Sequence, residues 1–301
     1  MFVLACALLR DTCDGCSLTD EAVQLCAQHA AEETSAFARE KRRLESKDDA
    51  VKVAGLEALA ALTNAHDNAP SERVVRRIAS ALKDKSYGVR KRATELLGRP
   101  QHALAALAAL EKALATAEEE LARSEKELDR FLEEPRDKLS QKEREEWPEE
   151  RERRRARIDL LASWRLSIVT QLGTFQDERA AAAIAAHCPR DLLEAGKMLA
   201  RFGSREALEV VVESVQVLEQ EISLARASID RSRDVFAKFN LTASELELKT
   251  FQAELVAILK EKGLEAPGPP NNQAEDWRQW LDENKDRLPA RLPRLTSPAW
   301  R

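Results

Sequence analysis

Hydrophobic positions in the middle of the chain recur at alternating steps of three and four residues. The first such stripe consists of Leu107, Leu110, Leu114, Ala117, Leu121, Ser124, Leu128 and Phe131. This spacing places side chains on one face of a helix and is typical of a coiled coil. The stripe ends at Pro135, and residues 137–146 are expected to precede a return helix. The return stripe consists of Ile158, Leu161, Ile168 and Leu172. The pattern predicts an antiparallel coiled-coil hairpin over residues 101–172.

The same arrangement occurs twice along the chain. The helical segment that begins at Ser71 has a counterpart that begins at Asp177, and Gly98 has a counterpart at Gly203, an interval of about 105 residues. The short helices before Gly98 carry apolar stripes that are too broad for a helix surrounded by solvent, so each needs neighbours on two sides. We therefore predict a duplicated unit in which stacked short helices lead into a long hairpin.

The second long stripe keeps the same steps of three and four residues. It consists of Leu208, Val211, Val215, Leu218, Ile222, Ala225, Ile229, Ser232, Phe236 and Phe239. We predict an outgoing helix from Arg205 to Phe239, and a capping box at Thr242 and Glu245 that starts a return helix. The second coiled-coil hairpin is thus expected over residues 205–262. Because the return helix is the shorter one, part of the outgoing helix needs a cover, which the C-terminal segment can supply.

The composition favours helix at nearly every position. Hydrophobic residues make up 44% of the chain, charged residues 34% and aromatic residues only 5%, with 9 Gly and 11 Pro in 301 residues. Such a chain lacks the aromatic and turn residues of a sheet, so we predict an all-α fold. The net charge of -5 is spread over interspersed signs, which argues against a nucleic-acid partner. No apolar run approaches the roughly 20 residues of a transmembrane helix, and a soluble protein is expected.

Residues 1–17 form an apolar segment that contains cysteine. The beginning, MFVLACALLR, has the apolar character of a signal peptide without its basic first region, and Val3 to Cys6 resembles a bacterial lipoprotein box with the same defect. A truncated export signal is one interpretation, and an apolar stretch that docks on the first helix is the favoured one. The localisation stays open between the cytoplasm and the bacterial envelope.

Four potential metal ligands are close together near the N-terminus, namely Cys13, Cys16, Cys26 and His29. Two pairs of soft ligands, each separated by two residues, have the spacing of a tetrahedral zinc site. In an exported protein the same cysteines would instead form disulfides. A third interpretation is that they are free surface thiols. The sequence leaves these three alternatives open, and zinc is the one cofactor that it suggests.

The C-terminal region, residues 263–301, begins with a linker around Pro267 and ends in a Pro-rich tail. Between them a short predicted helix carries Trp277 and Trp280 one turn apart. Two such indoles could hold a ligand, but they more often close the open end of a helical stack, which is the interpretation that we favour.

Two segments resemble HEAT repeats, whose signature is an acid, then Val-Arg, Ala and Leu-Gly. They are Asp49–Leu62 and Asp84–Gly98, and the ending around Trp277 and Trp280 is similar to the W-x-x-W segment of many bacterial HEAT-repeat proteins. The resemblance implies HEAT-like repeats over residues 18–100 and a HEAT-like helical pair over residues 173–204. It also implies an α-solenoid that binds other proteins, and it implies no activity. The family stacks its helix pairs without interruption, whereas two hairpins intervene here.

Catalytic motifs are missing from the sequence, which contains no glycine-rich phosphate loop and no metalloprotease, nucleophile-elbow or kinase motif. The basic run from Arg151 to Arg157 is expected to pair across the first hairpin with Glu118 to Glu134. We therefore expect no enzyme, but a helical scaffold for protein–protein interaction or self-association. A zinc-binding structural or sensor module is the alternative. The candidate interaction residues are Leu121, Leu128, Phe131, Ile222, Ile229, Phe236, Trp277 and Trp280.

Overall fold

A computed structural model describes seven stretches of the chain, which are residues 35–62, 72–98, 103–133, 140–186, 192–229, 235–267 and 273–290. Every regular element in these stretches is a helix, and they contain no strand. The predicted all-α class is therefore confirmed. The chain divides between Leu96 and Leu97 into two compact units.

The first unit is built from short helices, which are α1 (residues 35–43), α2 (Asp49–Ala60), α3 (Glu72–Ser80) and α4 (Tyr87–Leu97). A 3-10 turn, Ala81–Lys83, follows α3. The core of the unit consists of buried aliphatic side chains, mainly Leu56, Leu59, Val74, Val75, Ile78 and Val89. Asp84 links α2 to the start of α4, because its carboxylate accepts a hydrogen bond from Lys52 at 2.9 Å and one from the Ser86 backbone at 2.9 Å.

The second unit contains the long helices. Its elements are α5 (Ala103–Glu133), α6 (Gln141–Leu172), α7 (Glu178–Ala185), α8 (Leu192–Phe202), α9 (Arg205–Ile229), α10 (Val235–Glu261) and α11 (Ala274–Asn284). The core lies where α7 and α8 pack against the first long pair and where α8 and α11 pack against the second. Its largest fully buried side chains include Trp164, Phe251 and Trp277.

The start of α6 differs from the predicted break over residues 137–146. Ser140 caps the helix by accepting a hydrogen bond from the Glu143 backbone at 3.3 Å, and the Glu143 carboxylate accepts one from the Ser140 backbone at 2.8 Å. This capping box satisfies two N–H groups at the helix start, so the helix begins at Gln141 and continues through Pro148.

The predicted break between the two helices of the second hairpin is wrong. The outgoing helix α9 ends at Ile229 rather than Phe239, and α10 already begins at Val235. Thr242 is not a helix cap, since its hydroxyl donates to the Lys238 carbonyl one turn earlier at 3.0 Å, as threonines inside helices do. The backbone of Phe236 thus belongs to α10, and its side chain lies outside the described part of the structure.

The order of helix lengths is the same in two successive series. The elements α3, α4, α5 and α6 have 9, 11, 31 and 32 residues. The elements α7, α8, α9 and α10 have 8, 11, 25 and 27 residues. Two short helices are followed by two long ones in both series, whereas the duplication itself and the HEAT resemblance stay predictions.

Candidate interaction surface on the long helix pairs

The first long pair, α5 and α6, is antiparallel. Arg165 pairs with Glu118 at 3.1 Å, and Arg157 pairs with Glu127 at 3.8 Å. Farther along α5, Phe131 contacts Trp147. Residue numbers that rise along α5 therefore meet numbers that fall along α6.

Burial along this pair falls from one end to the other. The α5 stripe is buried from Leu107 to Ser124, but Leu128 and Phe131 are only half-buried. On α6, Leu161, Ile168 and Leu172 are buried, whereas residues 148–160 include no buried side chain. We call residues 122–133 and 141–160 the distal half of the pair. The rest of the two helices is the proximal half, which has α7 and α8 as further neighbours.

An aromatic pair closes the distal half. The rings of Phe131 and Trp147 stack with centroids 5.3 Å apart and an angle of 17° between their planes. The guanidinium of Arg154 lies 4.7 Å from the Phe131 centroid, and that of Arg151 lies 5.3 Å from the Trp147 centroid. Cation–π contacts of this kind contribute about 0.5–1 kcal/mol each at exposed sites. The stack and the contact of Arg154 with Phe131 therefore join the two helices at this end.

Only some of the arginines in the basic run on α6 interact with α5. Arg157 reaches the Glu127 carboxylate, and Arg154 donates to the Glu127 carbonyl at 3.3 Å. Arg153 and Arg154 also pair with Glu150 of their own helix, each at 2.8 Å. Sequence reasoning missed Trp147, although an aromatic residue directly before Pro148 on a charged helix was an available signal.

Apolar side chains remain exposed on the distal half. Leu132 on α5 is 44% exposed and Leu160 on α6 is 48% exposed. Of the candidate interaction residues on this pair, Leu121 is buried against the partner helix, while Leu128 and Phe131 keep part of their surface accessible. A partner that packs on the distal half would cover these side chains.

Other helices cover part of the second long pair, whereas Val217, Leu224 and Leu246 on its two helices remain exposed. The helix α9 packs against α8, α10 and α11, and α10 packs against α8 as well. The candidate residues Ile222 and Ile229 are accordingly buried, as are Phe251 and Leu255 of α10. They stabilise the unit and are not free to bind a partner.

The helix α11 packs against α9 and carries two buried indoles. Trp277 is 1% exposed, and Trp280 is buried beside it with ring centroids 6.0 Å apart. The indole N–H of Trp280 donates to the Glu265 carbonyl. At the start of α11, both carboxylate oxygens of Glu219 lie 3.2 Å from the Ala274 backbone nitrogen. Both tryptophans thus pack within their own chain, as expected if they close one end of the helical stack.

The candidate zinc ligands Cys13, Cys16, Cys26 and His29 lie outside the described residues, as does the segment 1–17. Within the seven described stretches, no group of His, Cys, Asp and Glu side chains is arranged to hold a metal ion. None of the helices in these stretches combines the length and the apolar character that a membrane span requires.

Comparison of the chain with protein-family models, with curated proteins and with solved structures finds no match. The interpretation of the surface therefore depends on the geometry described above.

Proposed function

We propose that this protein is a non-catalytic helical scaffold that binds a protein partner, or a second copy of itself, through the distal half of its first long helix pair. The observation that supports this proposal is the loss of burial along α5 and α6. Two helices alone can bury only one stripe each, and in the distal half that stripe is only half-buried at Leu128 and Phe131. A third helix laid against this surface would complete the packing.

The free energy of binding would come from the apolar side chains that remain accessible. Leu132 and Leu160 are nearly half exposed, and apolar area removed from water contributes about 25 cal/mol per Å². Charges of both signs flank them, such as Glu125, Lys126 and Arg155, all of which are exposed. Mixed flanking charges would select the orientation of the partner more than they add affinity.

The proximal half should remain folded without the distal half. Glu118 and Arg165 form a nearly buried ion pair, and Leu161 and Trp164 are buried near it. We therefore expect that replacing residues 122–160 with a short Gly-Ser turn leaves a cooperative thermal transition, followed by circular dichroism. Self-association, measured by sedimentation velocity at increasing concentration, should be present in the full chain and absent from this variant.

A pair of double variants keeps the test specific to the surface. Leu132→Ser with Leu160→Ser changes the distal half, and Val217→Ser with Leu246→Ser changes exposed apolar residues of the second pair. We expect only the first double variant to weaken association. A full chain that stays monomeric would exclude the second copy as partner, and equal effects of the two double variants would contradict a role of the distal half.

A further inference from the structure

The first unit contains an open cleft between α1 and the start of α2. Its volume is about 530 Å³, and it is lined by Ser35, Ala38, Arg39, Arg42, Arg43, Ser46 and Val51. Among the described residues, the lining thus includes three arginines and two serines and no acidic residue. The chain as a whole is acidic, so this concentration of positive charge is local.

A buried carboxylate holds two of the arginines in place. Glu40 is 1% exposed, and its oxygens accept hydrogen bonds from Arg39 Nε at 2.8 Å and from Arg43 Nη1 at 3.0 Å. A guanidinium has five N–H donors, so each of these arginines keeps further donors for a ligand. The carboxylate cancels one positive charge and leaves a net charge of about two for the three arginines.

Arg42 is the third cation of the cleft. Its backbone carbonyl accepts a hydrogen bond from the Glu45 N–H, but its guanidinium has no ion pair or hydrogen bond among the described residues, and the side chain is exposed. Other basic residues of the first unit form ion pairs, as Lys52 does with Asp84 and Arg92 does with Glu57. Arg42 is thus available to a ligand without the loss of an existing contact.

We propose that this cleft binds a phosphate monoester carried by a peptide of a partner protein. A phosphorylated side chain carries a charge of about -1.5 to -2 near neutral pH and presents three acceptor oxygens. That charge matches the net charge of the cleft, whereas a single carboxylate would match only half of it. Arginine forms paired hydrogen bonds with phosphate oxygens, and the hydroxyls of Ser35 and Ser46 add donors.

The remaining lining favours a peptide over a nucleotide. Ala38 and Val51 form an apolar part of the wall, and Val51 is 38% exposed. They can contact aliphatic side chains that flank the phosphorylated residue. None of the described residues that line the cleft is aromatic, and recognition of a base in single-stranded nucleic acid usually depends on an aromatic ring. The cleft is open to solvent, so the peptide can continue on both sides of the phosphate.

Fluorescence polarisation tests the proposal with the full-length protein. The probe is a labelled peptide with one phosphoserine between leucine and alanine residues, and its unphosphorylated form is the reference. We expect the phosphopeptide to bind at least about tenfold more tightly than the reference. Arg42→Gln should weaken its binding about tenfold, because the variant removes the cation that has no other partner.

Lys41→Gln is the matched control. Lys41 is exposed, carries the same charge and adjoins Arg42 in sequence, but it does not line the cleft. We expect it to change the affinity less than about twofold. Equal weakening by the two variants would overturn the proposal in favour of general charge attraction. Equal binding of the two peptides, or displacement of the phosphopeptide by a single-stranded oligonucleotide at lower concentration than by unlabelled phosphopeptide, would overturn it as well.

Discussion

The two long helix pairs share one sequence pattern and differ in what covers them. Both have apolar stripes at steps of three and four residues. In the first pair the stripe becomes half-buried at Leu128 and Phe131, whereas in the second pair Ile222 and Ile229 are buried. The spacing of a stripe thus predicts which side chains share a face of a helix. How deeply they are buried depends on a third element that the spacing does not show.

Two further elements cover the second pair, since α8 packs against both α9 and α10 and α11 packs along α9. Trp277 of α11 is fully buried, and the Glu219 carboxylate accepts a hydrogen bond from the Ala274 N–H at the start of α11. In the first pair, by contrast, Trp147 packs against its partner helix through one stacked ring and has arginines around it. Under the proposed function, the buried residues of the second pair are structural and the distal half of the first pair is the binding surface.

The largest expected effect comes from removing the indole that covers the second pair. Trp277→Ala should lower the free energy of unfolding by about 3–5 kcal/mol, because the side chain is fully buried and leaves a cavity. Trp147→Ala should lower the free energy of unfolding by less than half as much, since we expect the distal half to open locally while the proximal half stays folded. Urea denaturation followed by circular dichroism measures both losses. Equal losses would contradict the distinction between a structural pair and a presented pair.

Much of the fold could be predicted from the sequence because helix stripes are local. The all-α class and the alignment of Leu107, Leu114 and Leu121 follow from spacing alone. The start of α10 could not be placed from Thr242 and Glu245, because the same residue types occur at caps and inside helices. The spacing also gave no sign that Ser140, rather than a residue after Glu146, starts α6.

The candidate site was predicted less completely than the fold. The stripe indicated Leu128 and Phe131. The stacking of Phe131 on Trp147 joins residues from two helices, so the spacing within one helix does not predict it. The cleft near Arg42 was missed for a similar reason. The run Arg39–Arg43 looks like an ordinary charged segment of a helix. Only the structure shows that Glu40 is buried and accepts a hydrogen bond from Arg39.

A smaller effect is expected from the two glycines at corresponding positions of the predicted duplication. Gly203 has φ of +68°, in the left-handed region, whereas Gly98 is not in that region and lies close to Gln171. Gly203→Ala should cost about 1–2 kcal/mol because of its backbone angle. Removing the neighbouring side chain with Lys262→Ala should not restore that loss.

Gly98→Ala should instead depend on its neighbour. An added Cβ would lie 2.8 Å from the Cβ of Gln171, so the cost arises from side-chain contact. A double variant with Gln171→Ala should recover part of the stability, measured again as the free energy of unfolding in urea. Recovery at Gly203 with Lys262→Ala, or none at Gly98 with Gln171→Ala, would show that the two positions do not differ as described.

The smallest expected effect is a pH dependence at the contact that covers the second pair. Burial raises the pKa of Glu219, the hydrogen bond from the Ala274 N–H opposes this shift, and the charge of Asp276 adds to it. The folded protein therefore takes up a proton at a higher pH than the unfolded chain. The free energy of unfolding should rise as the pH falls from neutral through this pKa, and the gain should be complete below the ordinary value of 4.5.

Glu219→Gln should remove this gain, because the amide does not titrate. Glu111→Gln should have the same effect in the first pair, where burial also raises the pKa of the carboxyl against the attraction of Arg179.

Glu143 is the control of opposite sign, since hydrogen bonds from the Ser140 hydroxyl and backbone lower its pKa. Its contribution to stability should persist above 4.5 and disappear as the pH falls further. Urea titrations between pH 7 and about pH 3 would separate the two directions. A Glu219→Gln variant that kept the wild-type slope would exclude this carboxylate as its source.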